Sequence, residues 1–141
     1  MENYLLTPEK FEKLAHKLLK DIEEKGASYE AILCPLRGGF FLSYFMSQHL
    51  KLPMLYIEIS SYSGKVQEEF QIGLKPELAE GNFLLCDDIY DSGNTIKKIH
   101  SLYPHVTFDT ACLVTKVEDC GINYGELVKK DCWVDFYWEV Q

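Results

Sequence analysis

The sequence predicts an α/β fold: a three-layer, doubly wound and mainly parallel sheet. Short apolar runs alternate along the chain with segments of helical periodicity, an order typical of sheets covered by helices on both faces. Helical segments separate strand-like runs, and such crossovers join parallel strands. No internal repeat, low-complexity tract or linker divides the 141 residues. We therefore expect one domain, residues 1–141, with enough chain to bury a core.

The first helix carries clear signals at both ends. Thr7 is the expected N-cap, Pro8 suits the first helical position and Glu9 suits the positive end of the helix dipole. Gly26 is expected to end the helix. Between them, apolar side chains recur at helical spacing at Phe11, Leu14, Ala15, Leu18, Leu19 and Ile22.

The remaining elements follow in chain order. Strands are expected at 31–34, 54–59, 82–86 and 106–115, a short antiparallel piece at 70–72, and helices at 40–50 and 94–103. Residues 60–69 lack periodicity and are expected to form a polar loop. Ligands bind at the carboxyl ends of parallel strands. The site should therefore gather the segments 35–39, 60–69 and 87–95 and the residues after Thr115.

Residues 84–95 form the most informative stretch. An apolar run ends in Asp87 and Asp88, a third carboxylate follows at Asp91, and a turn opens the next helix with Ser92, Gly93, Asn94 and Thr95. The N–H groups and dipole at a helix amino terminus favour a phosphate. Carboxylates would repel it unless they served ribose hydroxyls or Mg²⁺. The pattern indicates a sugar phosphate with a metal-bound pyrophosphate; a solvated acidic turn is the alternative.

This pattern resembles the phosphoribosyl-pyrophosphate (PRPP) motif of type I phosphoribosyltransferases. The resemblance implies that Asp87 and Asp88 hold the ribose hydroxyls, directly or through Mg²⁺, the implied cofactor. It implies that residues 92–95 bind the 5′-phosphate. It also implies that Asp91 is the catalytic residue that accepts or shares the proton of purine N7.

Two further loops fit the same resemblance. In the segment Leu36-Arg37-Gly38-Gly39, the glycines let backbone amides approach an anion and Arg37 adds a forked, permanently charged donor. The matching family loop binds pyrophosphate, often through a non-proline cis peptide, here Leu36–Arg37; an ordinary strand-to-helix turn is the alternative. Ser61 and Tyr62 match the start of a mobile loop that closes over the reacting centre and excludes water. An ordinary surface loop is the alternative there.

The base side resembles the 6-oxopurine branch of the family. That branch implies that Lys116 donates to the purine 6-oxo group, Trp133 stacks on the ring and backbone groups from Val134 onward read the other edge. Glu139 falls where the family often has Asp, within a small C-terminal base-binding segment. The chain departs from the family after Lys116, where Val117-Glu118 replaces a basic or proline-containing sequence. A solvated strand end for Lys116 and a core role for the aromatic residues are the alternatives.

Composition limits the function classes. The formal net charge of −8 argues against nonspecific binding to nucleic acid or anionic membranes. No apolar run approaches the roughly 20 residues of a membrane span, and no signal-peptide pattern is present at the N-terminus. Five cysteines without metal or redox spacing are expected to be reduced thiols. We therefore expect a cytoplasmic protein with neither a nucleic-acid nor a membrane partner.

The expected function is transfer of the 5-phosphoribosyl group from PRPP to guanine, xanthine or hypoxanthine in purine salvage, by a homodimer or homotetramer. The sequence does not rank the three bases. Two alternatives stay open. One is a PRPP-binding regulator with the same fold. The other is a transferase for a different nucleobase, although an orotate transferase would need more lysines in the mobile loop than Lys65.

Overall fold

A computed structural model describes residues 2–63 and 68–140, with the backbone alone at 61–63 and 68. Over these residues the chain forms helices α1 (Pro8–Lys25), α2 (Phe40–Leu50) and α3 (Asn94–Leu102). The strands are β1 (Asn3–Leu6), β2 (Ile32–Leu36), β3 (Met54–Ser63), β4 (Glu68–Ile72), β5 (Gly81–Tyr90), β6 (Val106–Thr115), β7 (Asn123–Leu127) and β8 (Trp133–Phe136).

The central sheet has the strand order β4-β3-β2-β5-β6-β7 over the described residues. Its neighbours run parallel except β3 and β4, which pair antiparallel. The predicted mainly parallel α/β fold is confirmed. The chain builds outward from β2, then returns to β5 and builds the other way, so β2 and β5 flank a topological switch point. Open α/β sheets bind ligands at such a point.

Helices cover both faces of this sheet. On one face, Leu18 of α1 and Phe45 of α2 pack in a cluster that contains Leu84 of β5. On the other face, Ile96 of α3 packs in a cluster that contains Leu85, the next residue along β5. Side chains alternate between the faces of a strand, so adjacent leucines support opposite helix layers. None of the helices in the described part of the chain has the length and apolarity needed to cross a membrane.

The ends of α1 form as predicted. The Thr7 hydroxyl oxygen accepts the N–H of Lys10 at 3.2 Å, and Pro8 is the first helical residue. Gly26 ends the helix with φ 68°, the left-handed conformation that glycine adopts most readily.

Strand β5 is longer than predicted. The expected strand at 82–86 extends through Tyr90, so Asp87 and Asp88 belong to the strand and not to the loop after it. Pairing with β6 explains the extension, because the register continues through Asp87 with Cys112 and Tyr90 with Thr115. The backbone ladder there outweighs the polarity of the side chains.

The loop predicted at 60–69 is wrong for the residues that the structure describes, and residues 64–67 of it lie outside them. The backbone of Ser61 and Tyr62 lies in β3, opposite Phe70 and Glu69 of β4. The run from Ser60 to Ser63 shows no apolar alternation by which the sequence could indicate a strand. The antiparallel piece predicted at 70–72 is confirmed as the end of β4.

Three strands were not predicted at all. β7 extends the central sheet next to β6, and β1 pairs with β8 in a separate parallel ribbon. In the ribbon Asn3 lies opposite Trp133 and Leu6 opposite Phe136. Cys132, just before β8, is buried despite its polar sequence surroundings.

Candidate active site

The turn between β5 and α3 (residues 91–93) forms an anion-binding geometry. Gly93, at φ 83°, is the N-cap of α3, and its carbonyl oxygen accepts the N–H of Lys97 at 2.9 Å. The Ser92 hydroxyl oxygen accepts the N–H of Asn94 at 3.3 Å. A cavity of about 240 Å³, lined by residues 87–96, lies against this turn. The first N–H groups of a helix have no partner within the helix, so they suit a phosphate in this cavity.

The turn between β2 and α2 (residues 37–39) lies on the other side of the switch point. The Leu36–Arg37 peptide is cis, as the family resemblance implies. The N–H of Gly39 donates to the Pro35 carbonyl at 2.9 Å, which closes the turn. A Cβ atom on Gly38 would lie 2.5 Å from Oδ2 of Asp88. Glycine therefore lets this turn lie directly against a carboxylate of β5.

Asp87 and Asp88 are held by backbone groups at the end of β5. Oδ1 of Asp87 accepts the N–H of Asp88, and Oδ1 of Asp88 accepts the N–H of Ile89, both at 2.8 Å. Burial raises the pKa of Asp87 well above its ordinary value, and the charge of Asp88 raises it further. Burial also raises the pKa of Asp88, to which the charge of Glu139 adds. The two acids therefore favour a cation or a hydroxyl donor beside them.

These two residues fit a magnesium ion. Mg²⁺ is usually bound through one or two carboxylates together with substrate oxygens and water. Within the described residues no group of three or more metal-ligating side chains occurs, so a cation here would share its ligands with a substrate. Asp87 and Asp88 supply hard oxygen donors, and a cation would relieve their repulsion.

Protonation of Asp87 should make stability depend on pH. The native pKa lies above the unfolded one, so the native state holds more protons between the two values. The free energy of unfolding should therefore fall as pH rises from about 4 toward neutrality. Asp87→Asn keeps an acceptor for the Asp88 N–H and should flatten this dependence and raise the melting temperature near pH 7. The measurement is thermal unfolding across pH.

The exposed Asp131→Asn variant is the control for that measurement, since no buried carboxylate is lost. Its pH profile should follow the wild type. An Asp87→Asn profile as steep as that of the wild type would show that ionisation of Asp87 does not lower the free energy of unfolding.

Arg37 lines two cavities, one on each side of its turn. The larger, of about 710 Å³, opens toward β3 and β4 and is also lined by Glu58 and Gln71. The smaller, of about 590 Å³, opens toward the C-terminal segment and is lined by Asp88, Trp138 and Glu139 among others. The arrangement places one guanidinium between two spaces that an anion could occupy.

Glu58 and Gln71, which line the larger of these two cavities, are not predicted from the sequence. Glu58 lies opposite Leu36 in the register of β2 and β3. The signal was available, because the carboxyl ends of neighbouring parallel strands meet at the same edge. Gln71 gave no such signal, since its place depends on the β3–β4 hairpin.

Glu139 lies near the turn of residues 37–39. It lines the cavity of Arg37 and Asp88, and its predicted role in base binding stays a prediction. A tight turn holds it there: the N–H of Phe136 donates to Oε1 of Glu139 at 3.2 Å, and the N–H of Glu139 donates to the Phe136 carbonyl at 3.0 Å.

Lys116 meets Asp91 at the carboxyl ends of β5 and β6. Nζ of Lys116 lies 3.7 Å from Oδ2 of Asp91, and its backbone N–H donates to the Tyr90 carbonyl at 2.9 Å. The Lys116 side chain is only 12% exposed, while that of Asp91 is 66% exposed. Lys116 is therefore not a solvated strand end. The pair offers a donor and an acceptor side by side.

Trp133 and Val134 lie on the β1–β8 ribbon. Trp133 is 57% exposed, which excludes the alternative that it belongs to the core. Its indole N–H donates to Oδ1 of Asp135 at 2.8 Å, and Val134 pairs with Tyr4 of β1. An exposed indole held in one orientation is suited to stack on a planar ligand. The Ser61 and Tyr62 side chains and Lys65 lie outside what the structure describes.

Comparison with known proteins identifies the family. The model of the phosphoribosyl transferase domain matches residues 2–119. The xanthine-guanine phosphoribosyltransferase of Gluconobacter oxydans is 29% identical over 133 residues, which cover 89% of this chain and 77% of that protein.

Solved structures share the fold over nearly the whole chain. The xanthine-guanine-hypoxanthine phosphoribosyltransferase of Helicobacter pylori superimposes with a TM-score of 0.80 at 28% identity, covering 99% of this chain and 95% of that one. A hypothetical protein from Neisseria gonorrhoeae with bound ppGpp superimposes with a TM-score of 0.83 at 22% identity, covering 99% and 91%. The chain therefore belongs to the type I phosphoribosyltransferase family.

Proposed function

We propose that this protein transfers the 5-phosphoribosyl group from PRPP to a 6-oxopurine in purine salvage. The observation that carries the proposal is the pairing of Lys116 with Asp91, the first residue of the turn that leads into α3. A 6-oxopurine needs a donor to its 6-oxo group and an acceptor near N7, and this pair supplies both. The relatives named xanthine-guanine and xanthine-guanine-hypoxanthine phosphoribosyltransferases support the same base class.

The PRPP side of the proposal uses both turns at the switch point. Ser92, Gly93, Asn94 and Thr95 bind the 5′-phosphate at the amino terminus of α3, and Asp87 and Asp88 face the ribose hydroxyls. Leu36, Arg37 and Gly38 bind the pyrophosphate. Bound Mg²⁺ at Asp87 and Asp88 would neutralise charge on the substrate oxygens. Local cations and N–H groups thus favour an anion against the net charge of −8.

The reaction exchanges one bond at the anomeric carbon. The bond from C1′ to the pyrophosphate oxygen breaks, the bond from C1′ to purine N9 forms, and pyrophosphate leaves with the electron pair. Positive charge develops on the ribose, and Arg37 stabilises the negative charge that develops on the leaving oxygens. Asp91 accepts or shares the purine proton at N7, while Lys116, Trp133 and Val134 orient the base.

A product assay with PRPP, Mg²⁺ and a panel of nucleobases tests this proposal. We expect nucleoside 5′-monophosphates from guanine, xanthine or hypoxanthine, and very poor use of adenine. The amino group of adenine would present donors to the Lys116 ammonium, and an unpaired buried polar group costs about 1–3 kcal/mol or more. Efficient use of adenine, or preference for a pyrimidine, would overturn the 6-oxopurine assignment.

Trp133→Ala serves as the side-specific control in that assay. Loss of base stacking should weaken purine binding by about 1–3 kcal/mol, which appears as a raised KM for the purine. The KM for PRPP should stay unchanged, because the two ligands contact different loops. A parallel loss for both ligands would show that the ribbon holds the whole site.

A second candidate is a regulatory protein that binds a guanine nucleotide. The gonococcal structure with bound ppGpp, which superimposes over 99% of this chain, favours it. A guanine ring and its phosphates would use the same base and phosphate positions as a reaction product. Calorimetry with ppGpp, with and without PRPP, distinguishes the candidates: tight ppGpp binding without turnover on any base would support the regulator.

A further inference from the structure

We propose that Tyr90 is a positioning residue: its ring packs against the turn of residues 91–93 and holds that turn in the shape that binds the 5′-phosphate. This inference rests on the proposed function, in which residues 92–95 bind the phosphate, and gives a role to a residue that the mechanism above leaves unused. Tyr90 is the last residue of β5 and is only 8% exposed. It lies directly before Asp91 in the chain.

The ring of Tyr90 lies immediately against Gly93. A Cβ atom on Gly93 would lie 2.5 Å from Cζ and 2.9 Å from Cε1 of Tyr90, and nearest of all to the phenolic oxygen. Real side chains do not approach that closely, so the ring leaves room for glycine alone. Gly93 is also at φ 83°, a conformation that suits glycine.

The ring is fixed by the core on its other side. Tyr90 packs in the same cluster as Ile96, Ile99 and Cys112, and its carbonyl oxygen accepts the N–H of Lys116 at 2.9 Å. The backbone of Tyr90 is therefore hydrogen-bonded to the residue after β6, and its side chain lies between the core cluster and the turn. The ring supplies a surface against which Gly93 of the turn packs.

This arrangement implies that loss of the Tyr90 ring lowers the affinity for a phosphate more than an equal loss of folding stability elsewhere in the core would. A site whose groups are misplaced by about 1 Å can lose on the order of 10²-fold in efficiency. Removal of the ring frees the turn, so the N–H groups at the start of α3 lose their fixed direction. Lys116 and the β1–β8 ribbon lie outside this turn and should be little affected.

The first test compares Tyr90→Leu with Phe83→Leu. Phe83 is buried in the same cluster and lies on the same strand, at the end away from the turn. Binding of ribose 5-phosphate is measured by calorimetry, and thermal unfolding is measured alongside. We expect a loss of affinity of about 10-fold to 100-fold for Tyr90→Leu and near wild-type affinity for Phe83→Leu and for Tyr90→Phe. Equal affinities in both leucine variants at similar melting temperatures would overturn the positioning role.

The second test combines a change in the turn with a change in the ring. Gly93→Ala should weaken ribose 5-phosphate binding, since the new methyl group meets the Tyr90 hydroxyl. In the Tyr90→Leu background the ring atoms that this methyl group would meet are absent, so Gly93→Ala should cost less affinity there than in the wild type. Purely additive effects in this double-mutant cycle would show that the ring and the turn are not energetically coupled, and would overturn the positioning role.

Ribose 5-phosphate separates this inference from the proposed reaction. Absence of turnover with PRPP and every base, together with Tyr90-dependent binding of ribose 5-phosphate, would refute the transferase proposal and leave the positioning role standing. Wild-type protein that binds no ribose 5-phosphate would overturn the inference itself.

Discussion

Asp91→Asn is expected to lower turnover by about 10²–10⁴-fold, the usual range for a lost general acid or base. The amide cannot accept the N7 proton, so the barrier to forming the C1′–N9 bond rises. Asp91 is 66% exposed and its ion pair with Lys116 is 3.7 Å long. Loss of so exposed a carboxylate should leave the melting temperature and PRPP affinity close to those of the wild type.

Steady-state kinetics with PRPP and the preferred purine provide the measurement. Asp119→Asn is a matched control, because Asp119 is an exposed carboxylate three residues after Lys116 with φ 51°, which asparagine tolerates equally. Near-normal turnover in Asp91→Asn with a raised KM for the purine alone would reduce Asp91 to an electrostatic partner of Lys116.

The second large effect separates two adjacent glycines. A Cβ atom on Gly39 would lie 2.6 Å from the Cys86 carbonyl oxygen and 2.7 Å from that of Pro35. Both are backbone atoms of central strands and have no room to move. Gly39→Ala should therefore lower the free energy of unfolding by about 1–3 kcal/mol or more, as overpacking does. Urea denaturation measures the loss.

Gly38→Ala should act on the ligand and not on the fold. Its Cβ atom would meet the Asp88 carboxylate, a side chain that can turn away but is proposed to face the ribose. We expect near wild-type stability and a KM for PRPP raised by about 10-fold to 100-fold. Gly73→Ala, whose Cβ atom would lie 3.2 Å from Oε2 of the Glu58 side chain, is the control for stability. A Gly39→Ala variant as stable as Gly73→Ala would contradict the geometry.

The sequence was most informative where local chemistry and fold agree. Thr7 and Gly26 bracket α1 as predicted, because caps depend on a few neighbouring residues. The strand before the PRPP motif was recognised but its end was not. Asp87 and Asp88 are poor strand residues by composition, and only the ladder to β6 keeps them in the strand.

Long-range pairing accounts for most of what the sequence did not show. Trp133 is predicted from the resemblance as a base-stacking residue, but its strand exists because Asn3 and Leu6 lie opposite Trp133 and Phe136. Nothing near residue 133 signals a partner at residue 3. The place of Glu139 beside Asp88 depends on the turn that follows this ribbon, so it was equally invisible.

The β1–β8 ribbon makes two segments that are far apart in the sequence depend on each other, so they must be exchanged together in a chimera. The carbonyl oxygen of Glu2 accepts the N–H of Trp133 at 2.9 Å, and the carbonyl oxygen of Leu6 accepts the N–H of Tyr137 at 3.1 Å. A chimera that exchanged only the C-terminal segment with a relative would pair a foreign strand with the native β1. Under the proposed base-binding role of Trp133, a transfer of base preference between family members would therefore require both β1 and β8, whereas each turn proposed to bind PRPP is one continuous segment that could be exchanged alone.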